Sequence, residues 1–363
     1  MMPETGAFRA QPLFLAQPRG VCAGNSIPLL ILPLVACESA SQPIMRYHHE
    51  PQGATERGQI MGTDVIDLAD ERIRRGDHIV RGTTADGMVR GIAITARATV
   101  QEAHDRHHTS PLVSAALGRL MMAGLMMGAM SKNDDELITL TVRGDGPVGG
   151  LTVTANNHGQ VKGFANHPNV WLPSKVPGHL DVGGGIGAGT LSVVFDQPGV
   201  VPYSSQVELV SGEIGEDLTY YFATSDQVPT SVGVGVLVAP DTSIRQAGGF
   251  IVQLMPGHLP DVVDALEANL AGVTSVTDLL EQGMSPSDLL AHVLRGMDYQ
   301  EHEVMPAEFH CGCDEARAAR AVAALGEETL RDMVEKDETA EVYCHFCGQR
   351  HYLPPERIRE LLG

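Results

Sequence analysis

Residues 310–348 read HCGCDEARAARAVAALGEETLRDMVEKDETAEVYCHFCG, and their four cysteines decide how the rest of the chain is divided. Cys311-Gly312-Cys313 is followed by thirty residues and then by Cys344-His345-Phe346-Cys347. Two close pairs allow two disulfides or one tetrahedral metal site. Zinc takes four thiolates at about 2.3 Å, and a close pair presents two sulfurs from a single turn. Gly348 lets the backbone turn after the second sulfur of the Cys-x-x-Cys pair. A site of this kind is commonly a plain structural staple. The same sulfurs also suit a redox switch. Zinc keeps cysteine as the reactive thiolate, and each pair holds a second thiol close enough to resolve a sulfenic acid. His310, His345 and His351 flank the cysteines and read as solvated, since four sulfurs already complete the tetrahedron.

Upstream of this stretch, from His258 onward, the pattern is helical. Leu259, Val262, Val263, Leu266 and Leu270 recur at helical spacing, and Leu279-Leu280, Leu289-Leu290 and Val293-Leu294 repeat it. Residues 257–363 carry 21 Asp/Glu and 8 Lys/Arg, a net of −13 out of −20 for all 363 residues. Short helices are marginal without tertiary support, and like charges add self-repulsion. The acidic balance also counts against a nucleic-acid binder, because phosphate backbones attract basic surfaces.

Residues 77–256 follow an α+β pattern without regular βαβ alternation. Val80–Ala85 and Met88–Thr95 read as a hairpin around Asp86-Gly87. Ser110-Pro111 is an N-cap followed by Pro at the first helical position, so a helix is expected over Leu112–Met130. That helix is rich in Met, which reads as core first and as adaptable binding surface second. Leu137–Arg143, Leu151–Ala155, Val161–Ala165, Leu191–Phe195, Val207–Val210, Ser231–Val238 and Gly249–Met255 read as strands, with a helix over Ile214–Thr224.

Several motifs fail on spacing or context. Gly183–Thr190 is glycine-rich, but Leu191–Phe195 directly after it reads as a strand, so a turn is expected rather than a phosphate loop. Gly-Lys-Ser/Thr is absent from a chain with four lysines, which removes a Walker-type ATP site. His104, His107 and His108 lack the acidic partner of a zincin motif and read as surface or capping residues. There is no Gly-x-Ser-x-Gly, and Tyr343 stands where a zinc deaminase has Pro.

Residues 1–76 read differently, as an atypical, disordered extension. The apolar run Ile27–Cys37 is too short to span a bilayer. Its end, Leu34-Val35-Ala36-Cys37, resembles a lipoprotein cleavage site, but an exported zinc–thiolate cluster would face an oxidising compartment. A cytoplasmic protein is the expectation. A short helix is expected over 64–75.

Taken together, these residues resemble the heat shock protein 33 family, the redox-regulated holdase chaperones of bacteria. Cys-x-Cys and Cys-x-x-Cys at the C-terminus carry the resemblance. So do His107-His108-Thr109-Ser110-Pro111, Gly144-Asp145-Gly146-Pro147, Ser211–Phe222, and Gly248-Gly249-Phe250 leading to Gln253-Leu254-Met255-Pro256. It covers about residues 77–363, and Cys22 and Cys37 have no counterpart in it. The resemblance implies an α+β chaperone body at 77–256, a helical metastable linker at 257–309 and a small zinc-binding redox-switch domain at 310–363. It implies one Zn2+ on Cys311, Cys313, Cys344 and Cys347 when reduced. On oxidation it implies Cys311–Cys313 and Cys344–Cys347 disulfides, zinc release, capture of unfolding client proteins and dimerisation. No enzymatic activity, ATP, nucleic acid or membrane is expected. Two rival readings are a zinc-stabilised nucleic-acid module, opposed by the charge, and a thiol–disulfide oxidoreductase using Cys344 and Cys347, opposed by the lack of a thioredoxin-like βαβ unit.

Overall fold

Asp86-Gly87 closes the first hairpin: Gly87 takes φ +71°, and Asp86 Oδ1 accepts from the Met88 amide at 2.9 Å. The computed structural model describes residues 73–362 except 132, 134, 176 and 177. The readings of the apolar run, of Cys22 and Cys37 and of most of the 64–75 helix lie outside the described residues.

The hairpin joins β1 (His78–Thr84) to β2 (Val89–Thr95). α1 (Arg97–His107) leads to α2 (Pro111–Gly128), which starts as its local sequence dictates. The Ser110 side chain accepts from the Val113 amide, and Pro111 needs no N–H in the first turn. Then come β3 (Leu137–Gly144), β4 (Leu151–Asn156), β5 (Gln160–Ala165), α3 (Val182–Ile186), β6 (Gly189–Asp196) and β7 (Tyr203–Glu208). α4 (Gly215–Tyr221) runs into a π turn at Phe222–Asp226 before β8 (Thr230–Val238) and β9 (Ile244–Leu254). The Asp217 carboxylate fixes the start of α4 by accepting from the amides of Val210, Ser211, Gly212 and Ile214 at 2.7–3.2 Å.

Two sheets enclose α2. Every residue of α2 after Pro111 is buried. Gly118 allows close approach to Val236 of β8, where an added Cβ would lie 3.0 Å away, and Gly124 does the same toward Val153 of β4 at 3.1 Å. The methionine stripe is therefore core, with Met121, Met122 and Met126 wholly buried. Pro111–Gly128 is also the one described helix long and apolar enough to cross a membrane, yet 94% of it is buried inside the protein.

Past β9 the chain covers the outer face of the first sheet. α5 (Pro260–Ala271), α6 (Val276–Glu281) and α7 (Pro286–Val293) pack Leu266, Leu270, Leu280, Leu289 and Leu290 onto Val80, Val89, Phe250, Val252 and Leu254. Glycines in the sheet let them lie close: a Cβ on Gly91 would be 2.8 Å from Leu290, and one on Gly248 2.7 Å from Leu280.

The helical character expected of 257–309 ends there. β10 (Tyr299–Pro306) is a strand that pairs antiparallel with β1, completing a five-stranded sheet of order β10-β1-β2-β9-β8. β11 (Glu308–Phe309) pairs parallel with β5 at the edge of a six-stranded sheet, β11-β5-β4-β3-β6-β7. Polar residues dominate β10, so no buried-face alternation marks it in the sequence. The C-terminal module holds α8 (Glu315–Ala323), α9 (Glu327–Glu335), the β12 (Ala340–Tyr343) and β13 (Arg350–Leu353) hairpin and α10 (Pro355–Glu360). Its core is small: Ala318, Ala319, Val322, Leu330, Ala340, Leu353 and Ile358.

Candidate metal centre

β11 delivers the chain to Cys311 and Cys313, and the Asp314 side chain caps α8 just beyond them by accepting from the Arg317 amide at 2.7 Å. Cys344 and Cys347 sit in the turn between β12 and β13. There the Gly348 amide donates to the Cys344 carbonyl at 2.8 Å, and the Cys344 amide to the Gln349 carbonyl at 2.9 Å. Gly348 takes φ +72°, the left-handed turn its position requires.

All four Sγ atoms lie within 4.8 Å of one another, and all four cysteines are free thiols. Cys311 and Cys344 are 3.7 Å apart at sulfur, and Cys313 and Cys347 are 3.2 Å apart. A tetrahedron with metal–sulfur bonds of about 2.3 Å has edges of about 3.8 Å. The donor set and its spacing fit zinc. Burial pushes the Cys311 and Cys313 thiols up, and the neighbouring thiols add to it. Cys344 lies below the usual thiol value. Burial opposes this, but hydrogen bonds from the Cys347 thiol, from the Cys347 and Phe346 amides and from Cys311 outweigh it. A cation among the sulfurs would reverse the burial penalty for the rest.

None of the three neighbouring histidines joins this cluster. His310 and His345 are exposed; His351 is half-buried and its Nε2 has no hydrogen-bond partner.

Phe346, His107, Lys162 and Phe164 hold this module against the body; His107 and Phe346 lie in motifs read from the sequence, but neither motif signals a docking role. Phe346, the spacer inside Cys-x-x-Cys, meets Phe164 of β5 edge-on with centroids 5.3 Å apart. The Lys162 ammonium sits 4.8 Å above the Phe346 ring. His107 Nε2 donates to the Phe346 carbonyl at 3.1 Å. Burial holds His107 below its usual value, partly offset by hydrogen bonds to the Phe346 and Gly163 carbonyls. Part of the histidine cluster expected at the surface is therefore a docking contact. Adjacency to Phe346 in space is what marks Lys162 and Phe164.

A family model described as Hsp33 protein matches residues 77–353. The chain belongs to the Hsp33 family. A "33 kDa chaperonin" of Agathobacter rectalis is 46% identical over 285 residues, covering 78% of this chain and 99% of the relative. One of Bacillus pumilus is 44% identical over 286 residues, covering 78% and 98%. The crystal structure of the 33 kDa chaperonin (heat shock protein 33 homolog) of Thermotoga maritima superposes with a TM-score of 0.73 at 34% identity, covering 78% of this chain and 97% of that one. The α+β fold and the resemblance to the Hsp33 family both hold.

Proposed function

We propose that the chain is an ATP-independent holdase chaperone, gated by the redox state of Cys311, Cys313, Cys344 and Cys347. The relatives' names support a chaperone. The observation that carries the gating is one of continuity. The four-sulfur module docks on the body through Phe346, and the segment leading into it lies over an apolar sheet face. The parts are a body at 77–256, a metastable linker at 257–309 and a zinc-binding switch domain at 310–363.

One Zn2+ on the four thiolates would supply folding free energy of order 10–16 kcal/mol to a module with little core of its own. Under peroxide, Cys311 closes on Cys313 and Cys344 on Cys347. For each pair, two thiolates give two electrons to one peroxide, which takes two protons from solvent and leaves as two waters while the S–S bond forms. The sulfurs then no longer serve as thiolate ligands. Loops this short recover little stability. The module unfolds, the linker helices lose their anchor, and Val80, Val89, Phe250, Val252 and Leu254 become available to unfolding clients. A net charge of −20 keeps the complex dissolved. The active form is a cytoplasmic homodimer that binds clients without turning them over, and needs no nucleic acid or membrane.

The test couples two readouts on the full chain: zinc release under peroxide, and suppression of light scattering from a heat-unfolded client. Zinc release with unchanged scattering defeats the gating. The oxidoreductase alternative would use the Cys344-x-x-Cys347 pair. However, Cys344 lies in a β-turn, not at a helix N-terminus, and catalytic turnover in insulin reduction is what would revive it.

A further inference from the structure

We propose that the edge of β1 now covered by β10 is a strand-addition site for an extended apolar segment of a non-native polypeptide. This rests on the gated-chaperone reading and names how that surface takes its client.

All of β1 is paired by β10, from His78 opposite Pro306 to Thr84 opposite Tyr299, with one irregularity between Arg81 and Gly82. Yet β10 brings no fully buried side chain to the pairing. Gln300, Glu301, His302 and Pro306 are exposed, and Tyr299, Glu303, Val304 and Met305 are half-buried. Its ion pairs, Arg81–Glu303 and Arg74–Glu301, are at the surface, where such pairs contribute little. The strand is held by main-chain hydrogen bonds, by the half-buried Tyr299, Val304 and Met305, and by exposed polar contacts such as Thr83 Oγ1 to His302 Nε2 at 2.8 Å. Any extended polypeptide with an occasional apolar side chain can replace the first two. β1 has the opposite character. Ile79 and Val80 are wholly buried, one in each of the two large cores. A strand buried on both faces is built for a sheet interior, and uncovering it leaves an apolar, pairing-competent edge.

The seats beside that edge are apolar and lie on both faces. Met305 packs on the core between the sheets, and Tyr299 and Val304 pack on the core under the linker helices. Gly82 admits the incoming backbone: a Cβ there would lie 2.2 Å from the Gln300 carbonyl oxygen. The slot thus selects main-chain extension with occasional apolar side chains, which suits clients of unrelated sequence. Its resident strand lies between the linker helices and Cys311, so unfolding on either flank loosens it.

Hydrogen exchange on the full chain tests this, with reduced carboxymethylated α-lactalbumin as the unfolded probe. Peroxide should speed exchange of the β1 amides facing β10 by about tenfold or more, and the probe should slow them again. A peptide of residues 299–306 should compete with the probe, and the same peptide N-methylated at alternate amides should not. Aggregation suppression with β1 amides that stay protected after oxidation, or stay unprotected with probe bound, overturns strand addition and leaves the gating intact. Equal competition by the two peptides does the same. Failure of oxidation to suppress aggregation removes the gating and strand addition together.

Discussion

The Phe346 ring, between Cys344 and Cys347, stands edge-on to Phe164 of the body at 5.3 Å. A ring pair of this geometry contributes about 0.5–1.5 kcal/mol beyond its buried area. The spacer of the cysteine turn is thereby also the contact through which the turn holds the body. Phe346→Ala should keep one zinc per chain, because it removes no sulfur. It should raise protease cutting within 257–309 about fivefold for each kcal/mol of docking lost. Zinc content and limited proteolysis measured together check this; unchanged cutting means the ring contact does not hold the linker shut.

Metal removal should act on the module more than on the body. A chelator, or Cys344→Ser, should abolish protection in 311–353 while amides of α2, buried between two sheets, keep theirs. Uniform loss of protection along the chain would show that the module is not a separate unit of stability.

Gly91 holds the linker helices at close range, since a Cβ there would lie 2.8 Å from Leu290 and 3.2 Å from Leu294. Gly91→Val should overpack this contact by about 1–3 kcal/mol. The expected result is partial suppression of client aggregation by the reduced, zinc-loaded protein. No suppression despite displaced helices would remove the covered sheet face from the mechanism.

Arg119 is buried in α2 with Nη1 2.7 Å from Glu213 Oε2, while Glu213 Oε1 accepts from the Gly183 amide at 2.9 Å. The pair ties the central helix to the glycine-rich turn. Glu213→Gln should lower stability by about 3–5 kcal/mol, because it strands a buried guanidinium. Adding Arg119→Met should recover part of that loss in urea denaturation. A double variant as unstable as the single one would show that the charge is not the cause.

Tyr221 is wholly buried and donates or accepts at Ser205 Oγ over 2.9 Å. Burial pushes its phenol from 10.0 up to about 12. The folded state keeps this proton while the unfolded chain releases it, so stability falls as pH rises across that window. The loss is at most about 2–3 kcal/mol. Tyr221→Phe should cost about 1 kcal/mol at neutral pH and lose less above pH 10 than the native chain. Parallel alkaline arms for the two proteins would contradict this.

Much of the body is legible locally. The Asp86-Gly87 hairpin and the Ser110-Pro111 cap act within a few residues of themselves, and both appear where expected. Gly183–Thr190 turns the chain as its composition implies: Asp181 caps a one-turn helix there and β6 begins at Gly189. β10 escapes local reading because its partner lies far away in sequence: Thr83 meets His302 across 219 positions. Its polar side chains leave no periodic signal, and the stretch before it is helical. Arg119 lies hidden among leucines and methionines, with Glu213, its partner, in a distant loop.

The amino-acid order by itself determined most of the elements, the cysteine spacing that fits a metal site, and membership of the Hsp33 family. Caps, turns and side-chain periodicity are short-range, so they survive translation from letters to structure. The tertiary structure alone decided that four sulfurs converge within 4.8 Å, that Phe346 seats the module on β5, and that a polar strand closes the edge of β1. Those are contacts between segments far apart in the chain, where packing selects among partners that local pattern leaves equivalent.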